Sequence, residues 1–405
     1  MMPNRRQAVA RGLAIALFLL LSGATVAGFD RAPHPFIIFT PLWCAEIALA
    51  GYVWKTVRVP AANLAVIGLL FWCTEIALLD TSPFSNPVVE ERENARGLPG
   101  EIIPYGRQSR VYHPLYGLGP RPGSRTRSRR FGPEGELAFD VTYSYDEFGL
   151  RSSPPPSPTA PWSLLFYGCS FTLGEGVNDT ETFAFRTQQL LGGRYRTLNF
   201  GFHGYGPQQM LRGLETEVER PPSDGSRPRH LFYLAIPDHV RRAAGIPPWD
   251  NGPRYELTAD GRIEHRGRFR SRAYYEIIGR LARSELLGRL LVKVTDRPLE
   301  NGDFERFVAI VARSRDLFEQ RYEGRFHVIL WWDEPVRSRL ARRLEQAGID
   351  YILIQDILPT LDSADSFLGE YSIPGDWHPN ARAHDLIARY LARFVLASVG
   401  REDAL

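Results

Sequence analysis

Three apolar stretches occupy the first 80 residues of this 405-residue chain, at positions 12–29, 35–54 and 59–79. Each has about the 20 residues that a helix needs to cross the hydrocarbon core of a bilayer. Because backbone polar groups find no water there, such a stretch must satisfy its hydrogen bonds internally and folds as a helix. The sequence therefore predicts a membrane anchor of three transmembrane helices over residues 1–80, with the lipid bilayer as its partner.

The basic residues near the apolar stretches predict the direction in which the helices cross. These residues are Arg5, Arg6, Arg11, Lys55 and Arg58. They share one side of the membrane, which the positive-inside rule places in the cytoplasm. We therefore expect a protein of the bacterial inner (cytoplasmic) membrane, with everything after Asp80 facing the periplasm or exterior. If the residues up to about Ala27 are instead a cleaved signal peptide, the large domain still lies outside.

Two of the apolar stretches contain a related segment, LWCAEIAL at 42–49 and FWCTEIAL at 71–78. Each segment places a carboxyl group, Glu46 or Glu75, within the bilayer, where it costs about 3 kcal/mol on insertion scales. One interpretation is a proton or acyl-donor pathway through the two carboxyls. The other is a hydrogen bond between protonated carboxyls of neighbouring helices, or a Glu75 that reaches the outer interface.

Charge and motif content exclude several classes of function. The net charge is only +3, which gives no basis for nucleic-acid binding. No Cys or His spacing typical of a metal site occurs, and no phosphate-binding loop or complete dinucleotide fingerprint occurs. We therefore expect no metal, no cofactor and no nucleic-acid partner. The oligomeric state stays open.

Residues 162–400 alternate short apolar runs with helical patterns, which is typical of an α/β domain. The predicted strands lie at 163–167, 196–200, 230–236, 326–331 and 351–354. The alternation predicts a three-layer α/β/α sandwich around a five-stranded parallel sheet. An insertion at about 243–323 separates the third and fourth strands, and it includes a predicted hairpin at 255–265. Two helical patterns follow the hairpin, at roughly 273–292 and 303–321.

Residues 81–161 are expected to form a β-rich lead-in that ends in a Pro-rich linker. Its segment RPGSRTRSRR, at 121–130, predicts a solvated basic loop, which could touch anionic headgroups if it lies near the membrane. The alternating segment ELAFDVTYSY, at 136–145, predicts a strand or hairpin.

Two separated motifs carry residues suited to nucleophilic catalysis. LLFYGCSFTLGEG, at 164–176, places Ser170 just after a predicted strand, where its hydroxyl and its own N–H can point into one space. GDWHPN, at 375–380, places Asp376 and His378 in a loop before a long helical pattern. A nucleophilic serine needs a base, and the base needs an orienting acid. The alternative for Ser170 is a turn serine that caps the next helix.

Together with NFGFHGYG at 199–206, these motifs resemble the first, second and last blocks of the SGNH (GDSL-like) hydrolase superfamily. The resemblance covers roughly residues 162–398 and implies the flavodoxin-like SGNH fold. It also implies that Ser170 is the nucleophile and an oxyanion donor, and that Gly204 is the second donor. His378 would then be the base, oriented by Asp376.

The chain departs from the SGNH pattern at three places. Cys169 replaces the usual aspartate before the serine, and the last motif is Asp-x-His, which is similar to that of some acyltransferase-like branches. The third strand is followed by Pro237-Asp238-His239, without the usual oxyanion asparagine. The candidates for the missing donor are His239, Arg241 and Arg242. His239 and Arg241, with Asn199 at the end of the second strand, are also the candidate substrate-binding residues; a turn residue is the alternative for Asn199.

The sequence thus predicts a membrane-anchored serine esterase or deacylase that works through an acyl-enzyme on Ser170. The expected substrate is an acylated carbohydrate or lipid of the cell envelope. Two alternatives stay open. One is an O-acetyltransferase that acts on an exported polysaccharide, and the other is a catalytically weak glycan-binding protein.

Overall fold

The computed structural model forms two compact units, one of residues 1–92 with 272–296 and one of residues 93–271 with 297–405. The residues that the structure describes are 15, 35–53, 58–79, 110–131, 136–155, 157, 160–216, 226–246, 252–269, 281, 284, 286–288, 290 and 297–402.

The first unit includes, among its described residues, the long helices α1 (Pro35–Val53) and α2 (Arg58–Leu79), which match the second and third predicted spans. They pack on each other through the ring of Phe36 against that of Phe71, and Trp72 donates its indole N–H to the Ile37 carbonyl at 2.8 Å. Within the described residues, the stretch Val59–Leu78 of α2 is long and apolar enough to cross a membrane, and the apolar part of α1 is shorter. The predicted span at 12–29 lies outside the described residues, apart from residue 15.

The buried Glu75 carboxylate makes its contacts with the insertion. Its Oε1 accepts hydrogen bonds from Ser284 Oγ at 2.6 Å and from the Leu286 N–H at 2.9 Å. Ser284 Oγ in turn accepts the Leu287 N–H at 2.9 Å. Glu75 therefore caps a turn of the segment 272–296, a partner that neither of our two interpretations foresaw.

The second unit is built on a five-stranded sheet with the order β11-β10-β7-β5-β6, in which every neighbouring pair is parallel. The strands are β5 (Trp162–Tyr167), β6 (Tyr195–Asn199), β7 (Arg227–Ala235), β10 (Arg325–Leu330) and β11 (Tyr351–Leu353). The prediction of an α/β domain with a five-stranded parallel sheet is thus confirmed.

Helices cover both faces of this sheet. They are α3 (Ser170–Leu173), α4 (Phe183–Leu190), α5 (Pro207–Thr216), α6 (Asp238–Ala243), α7 (Asn301–Tyr322), α8 (Val336–Gln346), α9 (Ala364–Ser366) and α10 (Ala381–Glu402). Side chains of β5 alternate between two buried clusters: Leu164 and Phe166 pack with α4 and α10, and Leu165 and Tyr167 pack with α5, α7 and α8. Because both faces are buried, the strands read as continuous apolar runs.

The lead-in contains two antiparallel pairs, β1 (Arg110–His113) with β2 (Gly117–Pro120), and β3 (Arg125–Phe131) with β4 (Leu137–Ser144). The prediction of a basic loop at 121–130 was therefore wrong for most of that segment, which is β3. Small polar residues at alternate positions of β3 are buried, and the arginines between them are more exposed. Asp140 of β4 accepts hydrogen bonds from Arg127 and Arg129 at 2.6 and 2.9 Å, which offsets the clustered charge.

The described part of the predicted insertion includes a hairpin and the helix α7. The hairpin pairs β8 (Pro253–Leu257) with β9 (Ile263–Arg268), as its sequence predicted. Helix α7 corresponds to the helical pattern expected at 303–321. Most of the other helical pattern, at 273–292, lies outside the described residues.

Candidate active site

Ser170 is the first residue of α3, directly after the turn that ends β5. The N–H groups of Gly174 and Glu175 both donate to the Ser170 carbonyl at 3.0 Å, which closes a tight turn around the serine. Ser170 itself is 8% exposed. The strand, the short helix and this turn together hold the hydroxyl at the carboxyl edge of the sheet, where ligands bind in parallel α/β folds.

Asp376, His378 and Ser170 form a continuous hydrogen-bonded path. His378 Nε2 lies 2.9 Å from Ser170 Oγ, and His378 Nδ1 lies 2.5 Å from Asp376 Oδ1. Asp376 Oδ1 also accepts the His378 backbone N–H at 2.9 Å. The structure therefore brings together the serine, the histidine and the aspartate that the sequence singled out, in the order nucleophile, base and acid.

Asn380 holds the loop that carries Asp376 and His378. Its side-chain N–H groups donate to the carbonyls of Glu370 and Ser372 at 3.0 Å each. Its side-chain oxygen accepts the Ala383 N–H at 3.0 Å, which caps the first turn of α10. The Pro-Asn pair that ends the motif thus joins the site to a long helix of the core.

Arg130 is a site residue that sequence reasoning missed. Its Nη1 donates to Asp376 Oδ2 at 2.8 Å, so the second carboxylate oxygen is bound from β3. Burial alone would raise the pKa of Asp376, but the hydrogen bond and charge of His378 and the charge of Arg130 outweigh it and lower the pKa. Asp376 is therefore ionised near neutral pH. No local pattern links Arg130 to a loop 246 residues later in the chain.

Glu175 and His203 were also missed, although both lie inside quoted motifs. The Glu175 carboxylate is 4% exposed, and its Oε2 lies 2.5 Å from His203 Nδ1 and 3.4 Å from His378 Nε2. For Glu175, the sequence contained one signal: it is the single charged residue, between Gly174 and Gly176, of an otherwise uncharged motif.

The charges of neighbouring side chains determine the protonation of this cluster. Burial would raise the pKa of Glu175, but the charges of His203 and His378 outweigh it and lower the pKa. Burial would lower the pKa of His378, but Glu175 and then Asp376 outweigh it and raise the pKa. The cluster therefore holds an ionised Glu175 next to a histidine that gains a proton more readily than usual.

The motif at 199–206 is hydrogen-bonded to the turn that carries Ser170. The Asn199 side chain donates to the Thr172 carbonyl at 2.9 Å and accepts the Gly201 N–H at 3.0 Å, and the residue is 1% exposed. A Cβ at position 201 would lie 2.4 Å from the Leu173 nitrogen, so only glycine fits this close approach. Asn199 thus uses both amide atoms within the fold, and a contact with substrate stays a prediction.

Gly204 lies in the turn that follows, beside His203. Its φ of 72° is in the left-handed region that favours glycine. Arg242 holds this turn, because its Nη1 donates to the Tyr205 carbonyl at 2.8 Å while its Nε donates to Asp238 at 2.7 Å. Since His203 contacts Glu175, the turn that carries Gly204 reaches the site. Its role as an oxyanion donor stays a prediction.

The other two candidates after β7 are placed differently. His239 is fully buried, and its Nδ1 lies 2.7 Å from the Tyr233 hydroxyl. The Arg241 Nη1 donates to the Arg297 carbonyl at 3.3 Å. Neither contact involves the serine, the histidine or the aspartate of the site, and a substrate contact for either residue stays a prediction. Within the described ranges, no group of three or more His, Cys, Asp or Glu residues could hold a metal ion.

Comparisons with known proteins give only distant likenesses. No family model matches the chain, and no curated protein matches it at a significant level. Among the similar solved structures is a member of the lipolytic protein G-D-S-L family from Veillonella parvula DSM 2008. It is 14% identical, covers 56% of this chain and 94% of its own, and has a TM-score of 0.31.

Two further solved structures are esterases. The psychrotrophic esterase EstA from Pseudoalteromonas sp. is 14% identical and covers 59% of this chain and 98% of its own, at a TM-score of 0.31. Est24, a carbohydrate acetylesterase from Sinorhizobium meliloti, is 11% identical and covers 58% and 99%, at a TM-score of 0.30. At such low similarity, only the side-chain arrangement described above bears on the function of this chain.

Proposed function

We propose that the protein is a membrane-anchored serine esterase of the SGNH type, which removes acyl groups from carbohydrate or lipid of the cell envelope. The observation that carries this proposal is the hydrogen-bonded path from Ser170 Oγ through His378 to Asp376. Its order and distances are those required for a histidine to activate a serine hydroxyl.

In the acylation step, Ser170 Oγ attacks the ester carbonyl carbon and its proton passes to His378 Nε2. Asp376 stabilises the resulting imidazolium, and Arg130 and the backbone keep Asp376 in place. The backbone N–H groups of Ser170 and Gly204 bind the oxyanion, and such a donor contributes roughly 3 kcal/mol to transition-state stabilisation. The leaving alcohol takes the proton from His378, and the acyl group remains on Ser170.

The substrate class follows from the proposed location. A helix long and apolar enough to span a bilayer precedes the candidate site in the chain. The charge pattern of the sequence favours a position of this site outside the cytoplasm. A tethered esterase on that side meets acylated envelope carbohydrate and lipid.

Turnover of p-nitrophenyl acetate by the full-length protein in detergent tests the proposal. We expect Ser170→Ala and His378→Ala each to lower kcat by about a thousandfold or more, because the triad acts as one unit. Ser338→Ala is a matched control at an exposed serine and should keep parental activity. An inactive parent, or either triad variant with parental activity, would contradict the esterase and favour a dedicated transferase or a binding role.

A further inference from the structure

The reactive nitrogen of His378 faces a second acceptor besides Ser170. Glu175 Oε2 lies 3.4 Å from His378 Nε2, on the same turn of chain as the nucleophile. His203 fixes this carboxylate by its 2.5 Å contact to Oε2. Asp376 is hydrogen-bonded to the other ring nitrogen, Nδ1. Of the two carboxylates, only Glu175 therefore lies next to the nitrogen that takes up and releases the proton during catalysis.

The arrangement matters most once Ser170 is acylated. The Ser170 oxygen is then part of an ester. The neutral His378 Nε2 is free of this oxygen's proton and can accept the proton of the incoming nucleophile. An ionised carboxylate such as Glu175 only accepts hydrogen bonds. The incoming oxygen must lie within hydrogen-bond distance of Nε2, and on the side of Nε2 that faces Glu175 it lies close to Oε2 as well.

Water and an alcohol satisfy this pair of acceptors differently. Water has two protons and can donate one to His378 Nε2 and the other to Glu175 Oε2. An alcohol has a single hydroxyl proton, which must go to Nε2 for the reaction to proceed. Its oxygen lone pair then faces the buried Glu175 carboxylate with no proton between them, and two hydrogen-bond acceptors that face each other in this way repel.

We propose that Glu175, positioned by His203, selects water over alcohols as the acceptor of the acyl group and so makes the enzyme a hydrolase. This rests on the proposed function, because it presupposes an acyl-enzyme on Ser170. In the step concerned, the water oxygen bonds to the acyl carbon while one of its protons passes to His378 Nε2. The other proton stays on the oxygen and is hydrogen-bonded to Glu175. The bond from the acyl carbon to Ser170 Oγ then breaks, and Oγ takes the proton from His378, which releases the carboxylic acid.

The test is the partition of the acyl-enzyme between water and methanol. Full-length protein in detergent turns over p-nitrophenyl acetate in the presence of methanol, and methyl acetate and acetate are quantified. Their ratio depends only on the step after acylation, so a slower or partly unfolded variant still reports it. We expect Glu175→Gln to raise the ratio about tenfold, because the amide can donate a hydrogen bond to the alcohol oxygen.

Glu181→Gln is the matched control, since it removes a carboxylate from the same segment at a position that caps a turn. Its ratio should equal that of the parent. His203→Gln is a second variant for the case that Glu175→Gln does not fold, and loosening the carboxylate should raise the ratio in the same direction. An active Glu175→Gln or His203→Gln protein with the parental ratio would overturn the proposal. A parent without esterase turnover would instead contradict the proposed function.

Discussion

His378 lies between two ionised carboxylates, and this sets the pH dependence of the site. As a general base it must be neutral to accept the proton of Ser170. Burial favours the neutral form, but Glu175 and Asp376 favour the imidazolium more strongly and raise the pKa above its ordinary value of 6.5. The free enzyme therefore holds a protonated, inactive base up to a higher pH than an isolated histidine would.

The pH profile of kcat/KM tests this balance. We expect its acid limb to have a midpoint above 6.5, because activity appears only as His378 loses its proton at the raised pKa. Glu175→Gln removes one of the groups that raise the pKa, so its acid limb should shift to lower pH, and Glu181→Gln should leave the limb in place. A limb at the same pH in the parent and in Glu175→Gln would show that Glu175 has no electrostatic effect on the base.

At the scale of elements, the nucleophile turn is braced from two sides. On one side, the backbone at Gly201 lies so close to the Leu173 nitrogen that a side chain would not fit between them. On the other side, the buried Arg151 of the lead-in donates to the carbonyls of Leu173, Gly174 and Val177 at 3.1, 3.2 and 2.8 Å. The lead-in is therefore part of the catalytic unit, since it supplies Arg151 to the turn and Arg130 to the aspartate.

Substitution of Gly201 tests the role of this bracing. In Gly201→Ala the new Cβ would lie 2.4 Å from the Leu173 nitrogen, so the nucleophile turn must move. A displacement of this size near the reacting atoms is expected to lower kcat for p-nitrophenyl acetate by about a hundredfold. Gly302→Ala places a Cβ where no atom lies within 4 Å and should keep parental activity. Parental activity in Gly201→Ala would show that the close approach is not needed for catalysis.

At the scale of the whole molecule, the chain enters the first unit twice. Residues 1–92 form most of this unit, and residues 272–296 of the insertion join it through contacts that include the Glu75 carboxylate. The catalytic unit is therefore covalently connected to the helical unit at three points of the chain, near residues 92, 271 and 297.

Reporter fusions test the predicted topology. Alkaline phosphatase becomes active only where its disulfides form, outside the cytoplasm. We expect an active fusion after the last residue of the chain and an inactive fusion after Lys55, which the positive-inside rule places in the cytoplasm. Expression levels measured by immunoblot provide the control for each fusion. The opposite pattern of activity would place the candidate site in the cytoplasm and would exclude an envelope carbohydrate or lipid as the substrate.

The sheet and the residues of the candidate site were predictable from local patterns in the sequence. Five apolar runs predicted the strands, because strands buried on both faces have a local signature, and short glycine-containing motifs predicted where Ser170 and His378 lie. The parallel arrangement followed from the alternation of these runs with helical patterns, and it brings the residues after the strand ends to one edge of the sheet.

The completion of the site depends on contacts that no local pattern in the sequence records. Two of these contacts join segments that are distant in the chain, namely Arg130 with Asp376 and Glu75 with the turn that it caps. The third, Glu175 beside His378 Nε2, depends on the path of the turn after Ser170. Local patterns record which residues are buried or turn-forming, and they contain no information on which distant side chain a charged group will meet. For the same reason β3 was mistaken for a loop, since its partner strand and Asp140 are what make a row of arginines compatible with a sheet.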